Sequence, residues 1–347
     1  MVSSDAEVLF ERTGSLGLII LNRPEALNAL TLGMCHAIDD QLRIWRDDAA
    51  VKAVAVKGAG RAFCAGGDIR ALYDLGLAKD AYPYNFYHDE YRLNALVKHF
   101  PKPYIALLNG IVMGGGVGVS VHGMHRIVSE NLRFAMPETG IGLFPDVGGS
   151  YFLSRCPGEL GLFLALTGTR ISAADALYCG IATAYVPAAR FDDLQAALAN
   201  APAIEDVIAE FAQTPADEPA LAQHRTRIDR IFSHDSVEEI VEALLWEGDS
   251  WASQIRSIIL SKSPVSSKVA FRQLREGAKL DFNACMQMEY RLANRFIEGR
   301  DFYEGVRATV IDKGDAPNWT PGTLAGVSTA DVAAYFAPLG SRELILE

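Results

Sequence analysis

Apolar positions follow two rhythms along this chain, and the change from one to the other divides it. In the first half, short β-rich apolar runs alternate with stretches in which apolar residues recur every three to four positions, the pattern of strands followed by amphipathic helices. Leu16-Gly17-Leu18-Ile19-Ile20-Leu21, residues 51–56, Tyr104-Ile105-Ala106-Leu107-Leu108 and Arg126-Ile127-Val128 predict strands. Between the first two, Thr31 is placed to cap a helix whose Cys35, Ile38, Leu42 and Trp45 share one face. From about Gly158 onward helical patterns dominate, at 172–178 with Gly180 as a C-terminal stop, 236–246, 266–277 and 282–296. Residues 202–219, rich in Ala, Pro, Asp and Glu, read as a connector or an exposed helix. The pattern predicts an α/β core carrying the site over residues 1–190 and a helical C-terminal region over 191–347.

Composition narrows the class. Of 347 residues, 50% are hydrophobic and 22% charged, a globular mixture long enough to bury a sizeable core. The net charge of −11 argues against a nucleic-acid partner, which demands clustered Lys and Arg. An anionic group could still be held locally by Arg23, Lys57, Arg61, Arg70, Arg307 or Lys313. The cysteines Cys35, Cys64, Cys156, Cys179 and Cys285 form no C-x-x-C pair and read as reduced thiols. Residues 1–14 contain no signal-peptide core, and no apolar run reaches the roughly 18 residues a membrane span needs. A cytoplasmic protein is expected, or one of the mitochondrial matrix after loss of a leader, with no membrane partner.

Two glycine-rich segments follow predicted strands: Gly58-Ala59-Gly60-Arg61-Ala62-Phe63-Cys64-Ala65-Gly66-Gly67-Asp68, and Asn109-Gly110-Ile111-Val112-Met113-Gly114-Gly115-Gly116. Glycine lets a backbone N–H approach a ligand with no side chain in the way, and a helix starting there adds partial positive charge. Two such donors on one carbonyl oxygen would stabilise an enolate or a tetrahedral oxyanion. Each alone could equally be a tight turn. Other glycine motifs fail on detail. No P-loop string exists, and Val121 stands where a dinucleotide fingerprint wants Gly or Ala. His122 replaces the last glycine of a nucleophile elbow, so Ser120 reads as a helix residue.

Glu138 and Asp146 lie in an apolar, Gly- and Pro-punctuated stretch from Phe134 to Gly149. An apolar setting raises a carboxyl pKa and suits acid-base work, although either residue could simply cap a turn or helix. His122 and His125 are three apart with no third ligand placed by the sequence, so no metal site is expected.

Taken together, Arg23-Pro24-Glu25-Ala26-Leu27-Asn28-Ala29-Leu30, Phe63 to Arg70, Asn109-Gly110 with Gly114-Gly115-Gly116, and Met136-Pro137-Glu138 resemble the enoyl-CoA hydratase/isomerase (crotonase) superfamily. The resemblance implies a spiral of β-β-α units with a helical C-terminal region, acyl-CoA substrates, and a homo-oligomer, a trimer or hexamer. Coenzyme A is then part of the substrate, and no separate cofactor is implied. By position, the oxyanion donors carry over to Gly67 and Gly115. Ala26, Leu27, Ala65, Gly66, Asp68, Ile69 and Arg70 resemble the part that holds CoA.

One departure points to a branch of the family. Hydratases carry a second catalytic glutamate two residues after the triple glycine, where this chain has Gly118. The stretch from Gly114 to Gly123, then Ile141 to Gly149, and Asp301-Phe302-Tyr303-Glu304-Gly305-Val306-Arg307-Ala308 instead resemble the 3-hydroxyisobutyryl-CoA hydrolase subfamily. That implies thioester hydrolysis in valine breakdown, with Glu138 as nucleophile or general base and Asp146 on the 3-hydroxyl and the proton. Asp74 matches an acidic position near the substrate, or is an exposed helix carboxylate. The competing expectations are a hydratase, a dienoyl-CoA isomerase, or a non-catalytic CoA- or RNA-binding scaffold.

Overall fold

The computed structural model describes residues 6–346. The chain folds into two compact units, each assembled from separated segments. The first comprises the chain up to Asp68, then Arg92–Ala135 and Arg170–Ala222; the second comprises Ile69–Tyr91, Met136–Thr169 and the chain from Gln223 onward. The expected division at residue 190 falls inside the last segment of the first unit.

Among the described residues, all the strands belong to the first unit. In chain order they are β1 (Val8–Thr13), β2 (Leu16–Leu21), β3 (Ala53–Gly58), β4 (Ala62–Cys64), β5 (Tyr104–Leu108), β6 (Ile111–Met113), β7 (His125–Val128), β8 (Arg133–Ala135) and β9 (Ala184–Tyr185). They form a six-stranded sheet in the order β1-β2-β3-β5-β7-β9 and a three-stranded sheet in the order β4-β6-β8. β1 and β2 pair antiparallel; every other pairing is parallel. Three times in succession the chain lays one strand in the large sheet and the next in the small one, which is the expected spiral of strand pairs.

The apolar runs set this register. β2 buries both faces, as an interior strand must. On one face Leu16 and Leu18 join Ala53, Ala55, Ile105, Leu107 and Ile127 in a core closed by Leu194 and Leu198 of the helix Phe191–Leu198. Ile204, Ile208 and Phe211 of the helix Ile204–Phe211 complete it. Residues 202–219, expected to be a connector or an exposed helix, thus contain a helix whose apolar face is buried. On the other face the indole of Trp45, on the helix Leu32–Asp47, covers Gly17 so closely that a β-carbon there would lie 2.8 Å from its ring. Thr31 caps that helix by accepting from the N–H of Met34 at 3.1 Å.

β3 runs 53–58 rather than 51–56, because pairing with β2 starts at Leu16↔Ala53 and continues to Leu21↔Gly58. The strands β4, β6 and β8, three residues each, are too short to show a two-residue period and were not legible as strands. β1 escaped notice for a different reason: it is an edge strand with one buried residue, Val8.

The second unit is helical among the described residues. Its helices include Ile69–Leu77, the start of Tyr82–Lys98, Val237–Glu247 capped by Ser236, Pro264–Gly277 capped by Ser263, and Phe282–Glu298 capped by Asp281. Glycine at 305 lets the helix Asp301–Val306 press on the backbone of Ile141, where a β-carbon would collide. That contact fixes the segment carrying Glu138. Among the described residues, no helix is long and apolar enough to cross a membrane.

Candidate active site

In the first unit the two glycine segments converge. Gly66, at φ +121, leaves a space in which a β-carbon would stand 3.6 Å from the carbonyl oxygen of Met113 and 3.9 Å from the backbone nitrogen of Gly115. Leu30 bridges Gly67 as in a parallel sheet: its N–H donates to Gly66 O at 2.8 Å and its carbonyl accepts from Asp68 N at 2.8 Å. Backbone groups alternate along an extended chain, so the N–H of Gly67 points away from Leu30. Gly115 opens the single helical turn Gly115–Gly118, where the first N–H groups have no intrahelical acceptor. Gly116 packs on β4; a β-carbon there would lie 2.5 Å from the Cys64 carbonyl oxygen.

The Arg23 to Leu30 motif braces this loop. Leu27 and Asn28 adopt left-handed backbone at φ 51 and 57, and the Asn28 amide donates to Ala59 O at 2.9 Å and Ala62 O at 2.8 Å. Leu27 O accepts from Ala65 N at 3.0 Å. The guanidinium of Arg23 holds Asp68 at 3.1 Å and also pairs with Glu7 at 3.0 Å. Asp68, expected among the CoA-binding residues, therefore carries a structural ion pair. Ala26 is exposed, Leu27 half-buried and Ala65 half-buried.

Serine 120 is buried, and its hydroxyl donates to Gly116 O at 2.6 Å, so it is a structural residue. It lies just past the helical turn, which ends at Gly118. His125 sits 3.5 Å from Glu205. Lys57 donates to Gln195 at 2.7 Å, while Arg61 is exposed.

The second unit holds the carboxylates. Glu138 begins the short 3-10 helix Glu138–Ile141 and is 5% exposed; Asp146, eight residues on, is also 5% exposed. Asp146 Oδ2 accepts from the hydroxyl of Tyr91 at 3.0 Å. Burial pushes Asp146 up to about 7, against the pull of the Tyr91 hydroxyl and its own backbone N–H. Burial and then the charge of Asp146 drive Glu138 well above the usual carboxylate range. Like charges close together in a dry site resist double ionisation, so the pair titrates as a unit.

Two further groups were not singled out from the sequence. Glu90 and Tyr87, on the helix Tyr82–Lys98, are fully buried in the same environment, and both titrate upward from burial and from the charge of Asp146. The Tyr87 hydroxyl, Glu90 Oε1, Glu138 Oε2 and Thr139 Oγ1 are buried without a hydrogen-bond partner. Buried polar atoms are almost always paired in folded proteins, so four unpartnered ones, of which those on Tyr87 and Glu90 belong to groups that feel the charge of Asp146, mark a site built for a polar ligand. The signal was available: Tyr87, Glu90, Tyr91 and Asn94 share one helical face.

Another buried acid, Glu289 on the helix Phe282–Glu298, was also missed. Burial pushes it up to about 8, opposed by the Ser150 hydroxyl and the N–H groups of Gly148 and Ser150. Its neighbours on the helix, Cys285, Met286, Leu292 and Ala293, are all buried, so an acid amid an apolar face was its sequence signature.

Asp74 and Arg70 are exposed on the helix Ile69–Leu77, and Ile69 is half-buried at its start. Arg307 is engaged by Glu304 at 2.8 Å and by Asp312. Half-buried Lys262 is the cation that acts on Glu138.

Fold and residues together define a CoA-ester enzyme class. A model of the enoyl-CoA hydratase/isomerase family matches residues 16–336, and the chain belongs to that family, the crotonase family. It is 49% identical to the mitochondrial 3-hydroxyisobutyryl-CoA hydrolase of Danio rerio, over 100% of this chain and 94% of that protein. It is 46% identical to the protein of the same name from Xenopus tropicalis, over 99% of this chain and 91% of that one. Among solved structures it resembles a carnitinyl-CoA dehydratase from Mycobacterium thermoresistibile, with a TM-score of 0.94 and 42% identity over 99% of each chain.

Proposed function

We propose that this protein hydrolyses a short-chain 3-hydroxyacyl-CoA thioester, 3-hydroxyisobutyryl-CoA before others, to the free acid and CoA. One observation carries the reading within the family: at the position where a hydratase has its second acid stands buried Gly118, while Glu138 and Asp146 are both buried and the charge of Asp146 raises Glu138. Whole-chain identity of 49% to the hydrolase of Danio rerio supports it.

The roles are assigned as follows. The N–H groups of Gly67 and Gly115 stabilise the oxyanion that forms on the thioester carbonyl. The two acids share one proton; with that proton on Asp146, Glu138 acts as a carboxylate, either adding to the carbonyl carbon to expel CoA thiolate and leave an anhydride that water then opens, or taking a proton from the attacking water. Both roles need a free carboxylate oxygen, and Glu138 Oε2 is one. Asp146 receives the substrate's 3-hydroxyl and supplies the proton to the departing thiolate. Its pKa, near 7, suits a group that gives and regains a proton at neutral pH. Ala26, Leu27, Ala65, Gly66, Asp68, Ile69 and Arg70 are assigned to the CoA side, and Asp74 to the neighbourhood of the substrate.

The test is thiol release from 3-hydroxyisobutyryl-CoA and 3-hydroxypropionyl-CoA. Release with either supports the hydrolase; hydration of crotonyl-CoA without thiol release would establish the hydratase alternative instead. Single turnover in oxygen-18 water tests the two roles of Glu138: when water opens the anhydride at the Glu138 carbonyl, the label enters Glu138 and an unlabelled Glu138 oxygen leaves in the product, whereas the general-base route labels the product alone. The enzyme is further proposed to act in valine breakdown as a homo-oligomer, in the cytoplasm or, in a eukaryote, the mitochondrial matrix.

A further inference from the structure

We infer that Glu289 is a positioning residue for the reaction: it clamps the strained turn that aims Asp146. The inference rests on the reading of Asp146 given above.

Asp146 to Gly149 form a tight turn closed by Gly149 N donating to Asp146 O at 2.8 Å. Its two central residues, Val147 and Gly148, have φ of 50 and 86, the left-handed pair of a type I′ turn. Glycine takes this conformation freely, but a β-branched valine there is an outlier that the surroundings must enforce. Glu289 does the enforcing. Its Oε2 accepts from Gly148 N at 2.7 Å, and its Oε1 accepts from Ser150 N at 2.8 Å and from the Ser150 hydroxyl. On the other side of Asp146, the Gln273 amide donates to Pro145 O at 2.6 Å and reaches Glu289 Oε1 at 3.4 Å.

Every neighbour of the Glu289 carboxylate is a donor. Both oxygens accept, so an amide of the same shape would turn an NH2 group toward an N–H or an N–H/O–H pair. With the clamp gone, Val147 has reason to relax, and relaxation rotates the Asp146 backbone away from Tyr91. Misplacement of a proton-transfer group by about 1 Å costs on the order of a hundredfold in turnover.

The experiment compares E289Q, D146N and the double variant on 3-hydroxyisobutyryl-CoA, with kcat and KM measured separately. E289Q is expected to lose kcat by roughly 30- to 100-fold with KM within about threefold of wild type. The double variant is expected within about threefold of D146N alone, because Glu289 acts through Asp146. Adding V147G to E289Q is expected to recover about tenfold in kcat, since glycine adopts the turn without a clamp. Unchanged kcat in E289Q, or losses that multiply in the double variant, would overturn the inference while leaving the role of Asp146 intact. Full activity in D146N would instead remove Asp146 from the reaction and the inference with it. Should E289Q not fold, E289D decides, because the shortened side chain draws the carboxylate away from Gly148 N and Ser150 N: a fall in kcat at unchanged KM supports the clamp, and an unchanged kcat refutes it.

Discussion

The hydroxyl of Tyr91 donates to Oδ2 of Asp146 at 3.0 Å, both groups being buried. That single bond partly offsets the burial that pushes Asp146 up to about 7. Tyr91→Phe removes the donor without changing the ring, so the Asp146 pKa must rise further. The pH-rate limb that belongs to the acid pair is expected to move to higher pH, with a kcat loss of roughly tenfold at neutrality. A profile superimposable on wild type would show that this bond does not tune the reaction.

Glu138 and Asp146 should separate binding from chemistry. Glu138→Ala is expected to lower kcat by about a thousandfold while CoA affinity stays within about threefold, because neither acid is assigned to the nucleotide. Calorimetric titration with CoA and a thiol-release assay on the same preparations check both halves. Asp146→Asn takes a negative charge away from Glu138, so the residual activity should titrate on a limb displaced to lower pH.

Stability should fall as pH rises, opposite to the usual behaviour of carboxylates. Asp146 sits near 7 in the folded chain, against about 4 when unfolded. Between those values the folded state binds more protons, so its contribution is fully present below about pH 4 and is lost as pH rises through 7. The thermal midpoint is expected to drop between pH 6 and pH 9. Asp146→Asn, which keeps an oxygen for Tyr91 and removes the charge, should flatten that slope and raise the midpoint at pH 8 by roughly 2–5 °C. Differential scanning calorimetry over that range provides the check, and an unaltered slope would contradict it.

Gly116→Ala tests the glycine side independently of any acid. Its new methyl would lie 2.5 Å from the Cys64 carbonyl oxygen, so the helical turn must move off β4. A destabilisation of about 1–3 kcal/mol is expected, together with loss of turnover out of proportion to unfolding. Denaturant midpoints and activity per folded molecule separate the two effects.

Much of this was legible in the sequence because it is local. The strand Leu16–Leu21 and the strand Tyr104–Leu108 are uninterrupted apolar runs, and Ser172 with Asp175 makes the capping box of the helix Ala173–Tyr178. Gly180 takes the left-handed φ of 71 that a helix stop needs. The glycine segments, Glu138 and Asp146 were visible for the same reason: unusual residues in unusual local company. Hidden from that reading were elements with too few residues to display a period, such as β4, β6 and β8.

By itself the sequence determined the class of chemistry: which backbone N–H groups are bare, which acids lie in apolar surroundings, and that position 118 carries no side chain. Tertiary structure alone decided which groups share a site. Tyr91 reaches Asp146 across 55 positions, and Glu289 reaches Gly148 across 141. Hydrogen bonds of that span depend on how helices pack, and no local rhythm encodes them. The same packing desolvates the acids and so sets their pKa values, which depend on three-dimensional burial and charge separation rather than on neighbours along the chain.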